Sequence, residues 1–438
     1  MQDHFFALAD MLQLALRANE IFTCWYVGER SDFVRFNHGK VRQAGHVDQR
    51  HLRLRLIAQS RQASVSLALA GDASDAQQIK QALDDLRDIL EHLPVDPYLL
   101  YATDVHSSVT IRPGSLSAPQ DCVEQIVAAC AGLDMVGIYA SGKIVRGFAN
   151  SLGQRNWHEV ENFNFEWSLY HQADKAVKTS YAGMDWQASE MQTKMLSAAE
   201  QLTMLQRAPQ ELAPGEYRVF LAPRALDEVI GMLSWGGFSA KAQRTKQSPL
   251  IKMEQGHCLN PQISLEENTE SGTAPAFQSD GFIKPTRVTL IENGHLRAPL
   301  VAPRSAKEYG LTSNGANGGE SPESVCMSGG TLATADTLRA LGRGLYVSNL
   351  WYLNFSDRPA CRLTGMTRFA TFWVENSKII APVNVMRFDD TIYRMLGENL
   401  VALTSEQEFM LDPSSYGERS TNSSRLPGAL ISGMRFTL

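Results

Sequence analysis

The run Leu52-Arg53-Leu54-Arg55-Leu56 alternates without a break, and it constrains the fold more than any other feature of the chain. Its leucines fall on one face and its arginines on the other, which is the period of a strand with one buried side. The same period returns in the stretch 162–172. There Phe163, Phe165, Trp167 and Leu169 share a face opposite Asn162, Asn164, Glu166 and Ser168. No basic residues are interleaved, so the pattern reads as a sheet packed on a core and not as a platform for stacking bases. Further short strands are expected at 25–30, 32–40, 63–71, 135–141 and 143–151, set apart by turn-like Gly, Asp and Ser residues.

Helical spacing interrupts these strands. In 3–19, Phe5, Leu8, Leu12 and Leu16 form an apolar stripe, with Leu14 off it. In 75–91, Ile79, Leu83, Leu86 and Leu90 do the same; Asp72 or Ser74 can cap the start, and Pro94 and Pro97 stop the helix. A third helix is expected over 119–133, opened by Pro119 in the first turn. A fourth is expected over 188–207, with Met191, Met195, Leu202 and Leu205 inward. The segment 207–216 then holds two prolines and a glycine between a helix and a new strand, which marks a domain boundary. Beyond it the residues favour strands at 217–223, 287–294, 344–355, 369–376 and 429–438, with helices only at 224–234 and 331–341. The expected fold class is α+β. An N-terminal domain (1–208) of curved antiparallel sheet with helices precedes a C-terminal, mostly β domain (209–438). A chain of 438 residues is long enough for two such cores.

Composition removes several functions. The net charge is −6 and no Lys/Arg run stands out, so neither a nucleic-acid surface nor an acidic membrane surface is expected. No stretch approaches the roughly 20 apolar residues that span a bilayer. The N-terminal stretch has no basic region and is broken by Asp3, Asp10 and Glu20, which argues against a signal peptide and for the cytoplasm. Cys24, Cys122, Cys130, Cys258, Cys326 and Cys361 are scattered, with no CxxC pair, and read as buried small hydrophobes. None of the ten histidines forms HxxxH or HExxH. His158-Glu159 comes nearest but has Asn162 in the second place, and His257-Cys258 is a two-ligand start with no local completion. There is no GxSxG elbow. The Gly- and Ser-rich stretch 313–330 lacks the phosphate-cradling patterns. It reads as a long flexible loop, either a plain connector or a binding or lid loop.

Several segments of the second half resemble, in order, the TldD/TldE family of bacterial metallopeptidases. Residues 276–317 run from a short acidic-Gly turn (Asp280-Gly281) through a strand ending in Glu292-Asn293-Gly294 to the loop Thr312-Ser313-Asn314-Gly315-Ala316-Asn317. Then follow Gly329-Gly330, a helix, and Arg343-Gly344-Leu345-Tyr346-Val347. Residues 361–396 are similar to the family's closing signature, with Thr364-Gly365, Trp373-Val374-Glu375-Asn376 and Pro382-Val383. The likeness is best over about 275–400. The first half fits more loosely, with an opening helix and strands around Gly39-Lys40-Val41.

The catalytic branch of that family carries HExxxH on a helix and a Cys near the C-terminus; two His and the Cys hold zinc and the Glu polarises water. By approximate register Gly231, Met232 and Gly236 stand in place of His, Glu and His here, and the segment 419–438 has no Cys. The resemblance therefore implies the TldE/PmbA-like branch. Such a chain is a non-catalytic subunit with no catalytic residue and no bound metal or other cofactor, paired with a TldD-like subunit that carries the zinc, or forming a homodimer. The pair encloses a cavity for unfolded peptides. Ser313, Asn314, Asn317, Tyr346 and Trp351 are the candidate groove or interface residues. Two other classes stay open: a self-sufficient hydrolase with an unrecognised site, and a protein-binding regulator of the kind the family's "modulator of DNA gyrase" label suggests.

Overall fold

The computed structural model describes residues 1–172 and 175–437. The fold is α+β, as the alternation implies. Seven strands build the first sheet: β1 (Ile21–Asn37), β2 (Lys40–Ala58), β3 (Arg61–Ala68), β4 (Ser108–Arg112), β5 (Asp134–Asn150), β6 (Arg155–Gln172) and β7 (Lys175–Gly183). Their order is β3-β2-β1-β5-β6-β4, and β7 pairs β6 beyond the end of β4. All pairs are antiparallel except β4 with β6. Leu52, Leu54 and Leu56 lie buried opposite Tyr26, Cys24 and Phe22 of β1, so one face of the alternation is core as expected.

That face is covered by helices. α1 (Gln2–Ala15) and α2 (Ser74–Leu90) close one core over β1, β2 and β3. α3 (Pro119–Ala129) and α4 (Ala188–Leu205) close a second over β6 and β7, where Phe163, Phe165, Trp167 and Leu169 are buried. Met191, Met195, Leu202 and Leu205 of α4 point into this core, which also contains Ala370 and Phe372 from the second sheet. The N-cap of α2 is Ala73, with no side-chain cap bond, so neither of the two expected residues caps it; Asp72 Oδ1, just before the helix, instead accepts from the Ser74 N–H (2.8 Å) and the Ser74 hydroxyl (2.6 Å).

The second sheet has eleven strands: β8 (Gly215–Leu221), β9 (Leu265–Asn268), β10 (Arg287–Glu292), β11 (His295–Leu296), β12 (Ser324–Met327), β13 (Gly344–Asp357), β14 (Arg362–Glu375), β15 (Lys378–Pro382), β16 (Arg387–Thr391), β17 (Leu400–Leu411) and β18 (Ser423–Phe436). β8 pairs both β13 and β18, so β18-β16-β14-β13-β8 close into a ring. α5 (Pro223–Leu233) packs Ala225, Leu226, Val229, Ile230 and Leu233 into the large core of this half.

Several boundaries differ from the sequence reading. α1 ends four residues early because Leu16 is already extended, with ψ 144. The two short strands expected at 135–141 and 143–151 are one 17-residue strand, β5. The intervening Gly142 does not turn the chain. It sits at φ +135, and a Cβ there would collide with the Arg30 carbonyl oxygen, so glycine lets two backbones approach. The helix expected over 331–341 shrinks to a 3-10 turn, Thr334–Asp336, and one short helix, Thr337–Leu341. The Gly330 and Leu332 N–H groups instead bond to carbonyls of β17. Four cysteines are buried as expected, but Cys258 is exposed and Cys326 only partly covered.

The stretch 313–330 is not a flexible loop. Buried Glu320 pins it, accepting from Ser239 Oγ (2.6 Å) and from the N–H groups of Lys241 and Ala302 (both 2.8 Å). Glu267 Oε2 accepts from the N–H groups of Glu323 and Ser324, both at 2.9 Å, and β12 then joins β9 to β18. Anchoring by two carboxylates replaces the apolar burial that the composition lacks.

The two sheets are joined by side chains that cross between them. The segment 412–422, between β17 and β18, lies over the first sheet and inserts Arg419, which is 5% exposed. Its guanidinium donates to Ser31 Oγ (3.2 Å), the Gly142 carbonyl (3.5 Å) and the Asn162 carbonyl (3.2 Å), and bonds to Asn162 Oδ1. Its backbone N–H donates to buried Glu29 (3.1 Å). Burial pushes the guanidinium down to about 10, so it remains charged at neutral pH. Buried Arg146 donates to the Arg419 carbonyl (3.3 Å) and pairs with Glu418 (3.4 Å). Asn162, placed by the alternation on the polar face of β6, is thus fully buried. Nearby, His158 Nε2–H donates to the Thr273 carbonyl (3.0 Å), and Gln154 donates to that of Gly281 (2.7 Å).

Two predictions follow from this seam. Replacing Arg419 with Met leaves Asn162, Ser31 and the Gly142 carbonyl without their donor and removes the cation beside Glu29, and is expected to lower the unfolding free energy by about 3–5 kcal/mol in urea titrations. Tyr416→Ser, at the 99% exposed tip of the same segment, should leave the midpoint unchanged. The second concerns pH. Burial pushes the His158 imidazole down to about 4, from an ordinary 6.5. The folded state then binds fewer protons than the unfolded chain between these values, so stability falls as pH drops from about 6.5 toward 4. His158 accounts for about 3 kcal/mol of that loss. His158→Gln should remove this part of the slope, measured as denaturation midpoint against pH.

Candidate functional site

A cavity of about 860 Å³ opens where the two sheets meet. One wall is β7, which contributes every residue from Val177 to Gly183. β7 pairs only with β6 among the described strands, so its outer backbone edge faces this space. α4 supplies Lys194, Ser197, Ala198 and Gln201. The opposite wall is Glu406–Phe409 of β17, with Arg425 of β18 and Tyr346, Ser348 and Asn349 of β13. Pro223 and Arg224, at the start of α5, form part of the lining.

The lining is polar, and four of its nine charged residues are held in ion pairs. Lys194 meets Glu408 at 2.5 Å, and Lys178 lies 3.7 Å from Glu166. Arg224 bridges Glu166 (3.1 Å) and Asp227 (3.3 Å), and Ser424 Oγ donates to Asp227 Oδ1 at 2.7 Å. Glu406 accepts from the Thr334 N–H, the Thr334 hydroxyl and the Ser405 hydroxyl, all at 2.9 Å. The backbone bond first, then the two hydroxyls, hold its carboxyl far below the usual range, at about 2. Tyr346 packs its ring 5.5 Å from that of Phe220, and burial pushes its hydroxyl up to about 12. Burial also raises the carboxyls of Asp227 and Glu228, with Arg224 opposing in both cases.

Of the five residues expected at a groove or interface, the structure brings only Tyr346 to this cavity. Ser313 donates to the Val301 carbonyl (2.9 Å) and Asn314 to that of Pro299 (2.8 Å), while Asn317 closes on Ser321 (2.8 Å). Their polar atoms hold the local fold. Trp351 sits on the outer part of β13, 40% exposed, beside Tyr352 and under Arg368 at 4.4 Å. Both strands that wall the cavity, β7 and β17, escaped the sequence reading. Val177 and Tyr181 in the first, and Phe409 in the second, were the residues that could have signalled them.

The register expected for the missing metal motif also shifts. α5 ends at Leu233, and Gly236 lies beyond it at φ +83, so 231–236 cannot occupy one helix. The spacing i, i+1, i+5 stays on α5 and takes up the helix's acidic pair when it falls on Asp227, Glu228 and Met232. This set does not fit zinc. Asp227 is already engaged by the Arg224 cation and Ser424, and the Met232 thioether is buried in the apolar core. Among the described residues, no three His, Cys, Asp or Glu side chains are grouped to hold a metal ion. Glu228 has no hydrogen-bond partner among these residues and stands near Arg224, Asp227, Lys178 and Glu166.

Comparison with known proteins agrees with the architecture. Residues 214–438 match the PmbA/TldA metallopeptidase C-terminal domain. No curated protein sequence matches the chain. Among solved structures, TldE from Thermococcus kodakarensis superposes with a TM-score of 0.81 at 15% identity, over 99% of this chain and 100% of that one. A protein described as a modulator of a DNA gyrase from Thermotoga maritima gives 0.77 at 14% identity, over 99% and 100%. One of the same description from Bacteroides thetaiotaomicron gives 0.78 at 14%, over 99% and 98%. At such identities these likenesses speak for the fold alone.

Proposed function

Because this chain belongs to the PmbA/TldD metallopeptidase family, we propose that it is the non-catalytic subunit of a heteromeric zinc peptidase acting on unfolded peptides or small proteins. The observation that carries this reading is the cavity walled by the unpaired edge of β7, next to a helix whose donors do not fit zinc. An extended peptide can add to such an edge through backbone hydrogen bonds, which gives affinity without demanding a sequence. The volume falls within the range of about 300–1,000 Å³ usual for ligand sites. Zinc and the water-activating Glu belong, in this reading, to a TldD-like partner with an intact HExxxH. This chain supplies one side of the peptide groove and orders the backbone for attack. A homodimer remains the alternative assembly. The chain works in the cytoplasm and touches neither nucleic acid nor membrane. No helix among the described residues is long and apolar enough to cross a membrane, and the formal charge is −6.

One observation favours a second reading, a peptidase acting alone. Glu228 is half-buried and unpartnered, and burial raises its carboxyl, which suits a general acid or base. Among the described residues no grouping of three His, Cys, Asp or Glu side chains that could hold a metal ion includes it, so this reading ranks second.

Two measurements test the proposal. Metal analysis of the purified chain should find far less than one zinc per chain; a value near one would overturn the assignment of zinc to the partner. Cleavage of an unstructured peptide should occur when the chain is mixed with an HExxxH-bearing relative, and not with the chain alone. Cleavage by the chain alone, abolished by Glu228→Gln, would establish the second reading instead.

A further inference from the structure

We propose that the corner of the cavity formed by Arg112, Ser271 and Arg425 is a carboxylate-binding subsite that fixes the position of the bound peptide. This rests on the peptide-binding reading above and adds the chemical group that is recognised.

Five cations line the cavity: Arg112, Lys178, Lys194, Arg224 and Arg425. Three are engaged by carboxylates of the chain itself, as described above. Arg112, at the end of β4, and Arg425, on β18, have no carboxylate within ion-pair distance among the described residues. Arg112 is partly buried and uses one of its five donors, Nη1, on the Gly272 carbonyl. Burial lowers its affinity for a proton, and no nearby acid offsets this. Arg425 is the cross-strand partner of Phe409, with its guanidinium 5.0 Å from the ring centroid. Stacking on the ring occupies the flat face of the guanidinium and leaves its N–H edges free to donate.

The two arginines belong to one corner. Gly272, which accepts from Arg112, follows Ser271, and Ser271 lines the cavity. Gly272 also lies against Ser423 of β18, two residues before Arg425, and the next N–H, that of Thr273, donates to Ser423 Oγ at 3.2 Å. A partly dry guanidinium without a counter-charge is costly, and the neutralising group missing from this chain can be supplied by a ligand. A carboxylate matches the guanidinium edge with two parallel bonds. The rest of the lining carries Asp185, Glu190, Glu406 and Glu408, which repel a polyanion and leave room for a single negative charge. In a peptide that charge is the terminal carboxylate or an Asp or Glu side chain.

The test uses the full chain, alone and with its HExxxH-bearing relative, and a dye-labelled unstructured hexapeptide followed by fluorescence anisotropy. Three peptides are compared: one with a free C-terminus and no acidic residue, its C-terminal amide, and the amide carrying one internal Glu. Arg112→Gln and Arg425→Gln are each expected to weaken binding of a carboxylate-bearing peptide at least tenfold and to leave the uncharged amide unchanged. Arg425→Lys should recover part of the loss. Whichever charged peptide shows the effect identifies the source of the carboxylate. Equal weakening of all three peptides would mean that the arginines only support the fold, and no weakening would mean that the subsite is absent; either result overturns the proposal. If the unmodified protein binds none of the peptides in either form, the peptide-binding reading fails as well. If it binds all three alike and the variants do too, only the subsite fails.

Discussion

The buried guanidinium of Arg419 is the contact on which the arrangement of the two sheets depends. A cation with so little exposure survives only where every donor has somewhere to go, and here the acceptors come from β1, β5 and β6 of the other sheet. Such a contact specifies position more sharply than apolar packing, because a shift that leaves a guanidinium unpaired costs more than one that opens a small gap. Arg146, Glu29 and Glu418 gather around it, so charge is balanced locally. With this contact on one side of the first sheet and α4 on the other, the second sheet is held at two places, and the cavity between β7 and β17 takes its width from both.

The lining of that cavity divides into fixed and available charge. Lys194–Glu408 and the Arg224–Glu166–Asp227 group neutralise themselves and serve as walls. Glu406, bound by three donors, keeps its charge throughout the physiological range and acts as a permanent negative point on the β17 side. What remains to meet a ligand is the backbone edge of β7 and the arginine corner. A strand edge reads no sequence, whereas a fixed charge reads position along the bound chain, and the combination suits a site that must accept varied peptides in one register.

Much of this was legible beforehand where side-chain period alone decides the outcome. The leucines of β2 and the aromatic face of β6 landed on the core, and the inward residues of α4 did the same. The readings that failed depend on distant partners. Asn162 belonged to the polar face of its strand, yet a residue more than 250 positions away buries it. The Gly/Ser-rich stretch 313–330 lacked apolar side chains, and its order comes from Glu320 and Glu267, whose roles no local pattern announces. Edge strand β7, with the small residues Ala176, Ser180, Ala182 and Gly183, carries only a faint period, because one side of it packs on helix α4 and the other lines open space. The groove residues chosen from the sequence were conspicuous for composition, whereas the cavity is assembled from strand ends and edges that only the tertiary fold brings together.

The connectivity of β18 has a bearing on how the molecule is made. This strand pairs with β8, β12, β16 and β17, and it is the latest of the eleven to leave the ribosome. Until then β8 can pair only with β13 and the five-strand ring stays open, while the first sheet, complete far earlier in the chain, can already fold on its own helices. Nascent chains therefore pass through a stage in which one half is formed and the other presents unpaired edges, and sequence separations this long make that stage slow to resolve. During synthesis the edges of β8, β12, β16 and β17 that later pair with β18 are open to misplaced strands, so chaperone capture is most useful to this protein late, in the interval before β18 arrives.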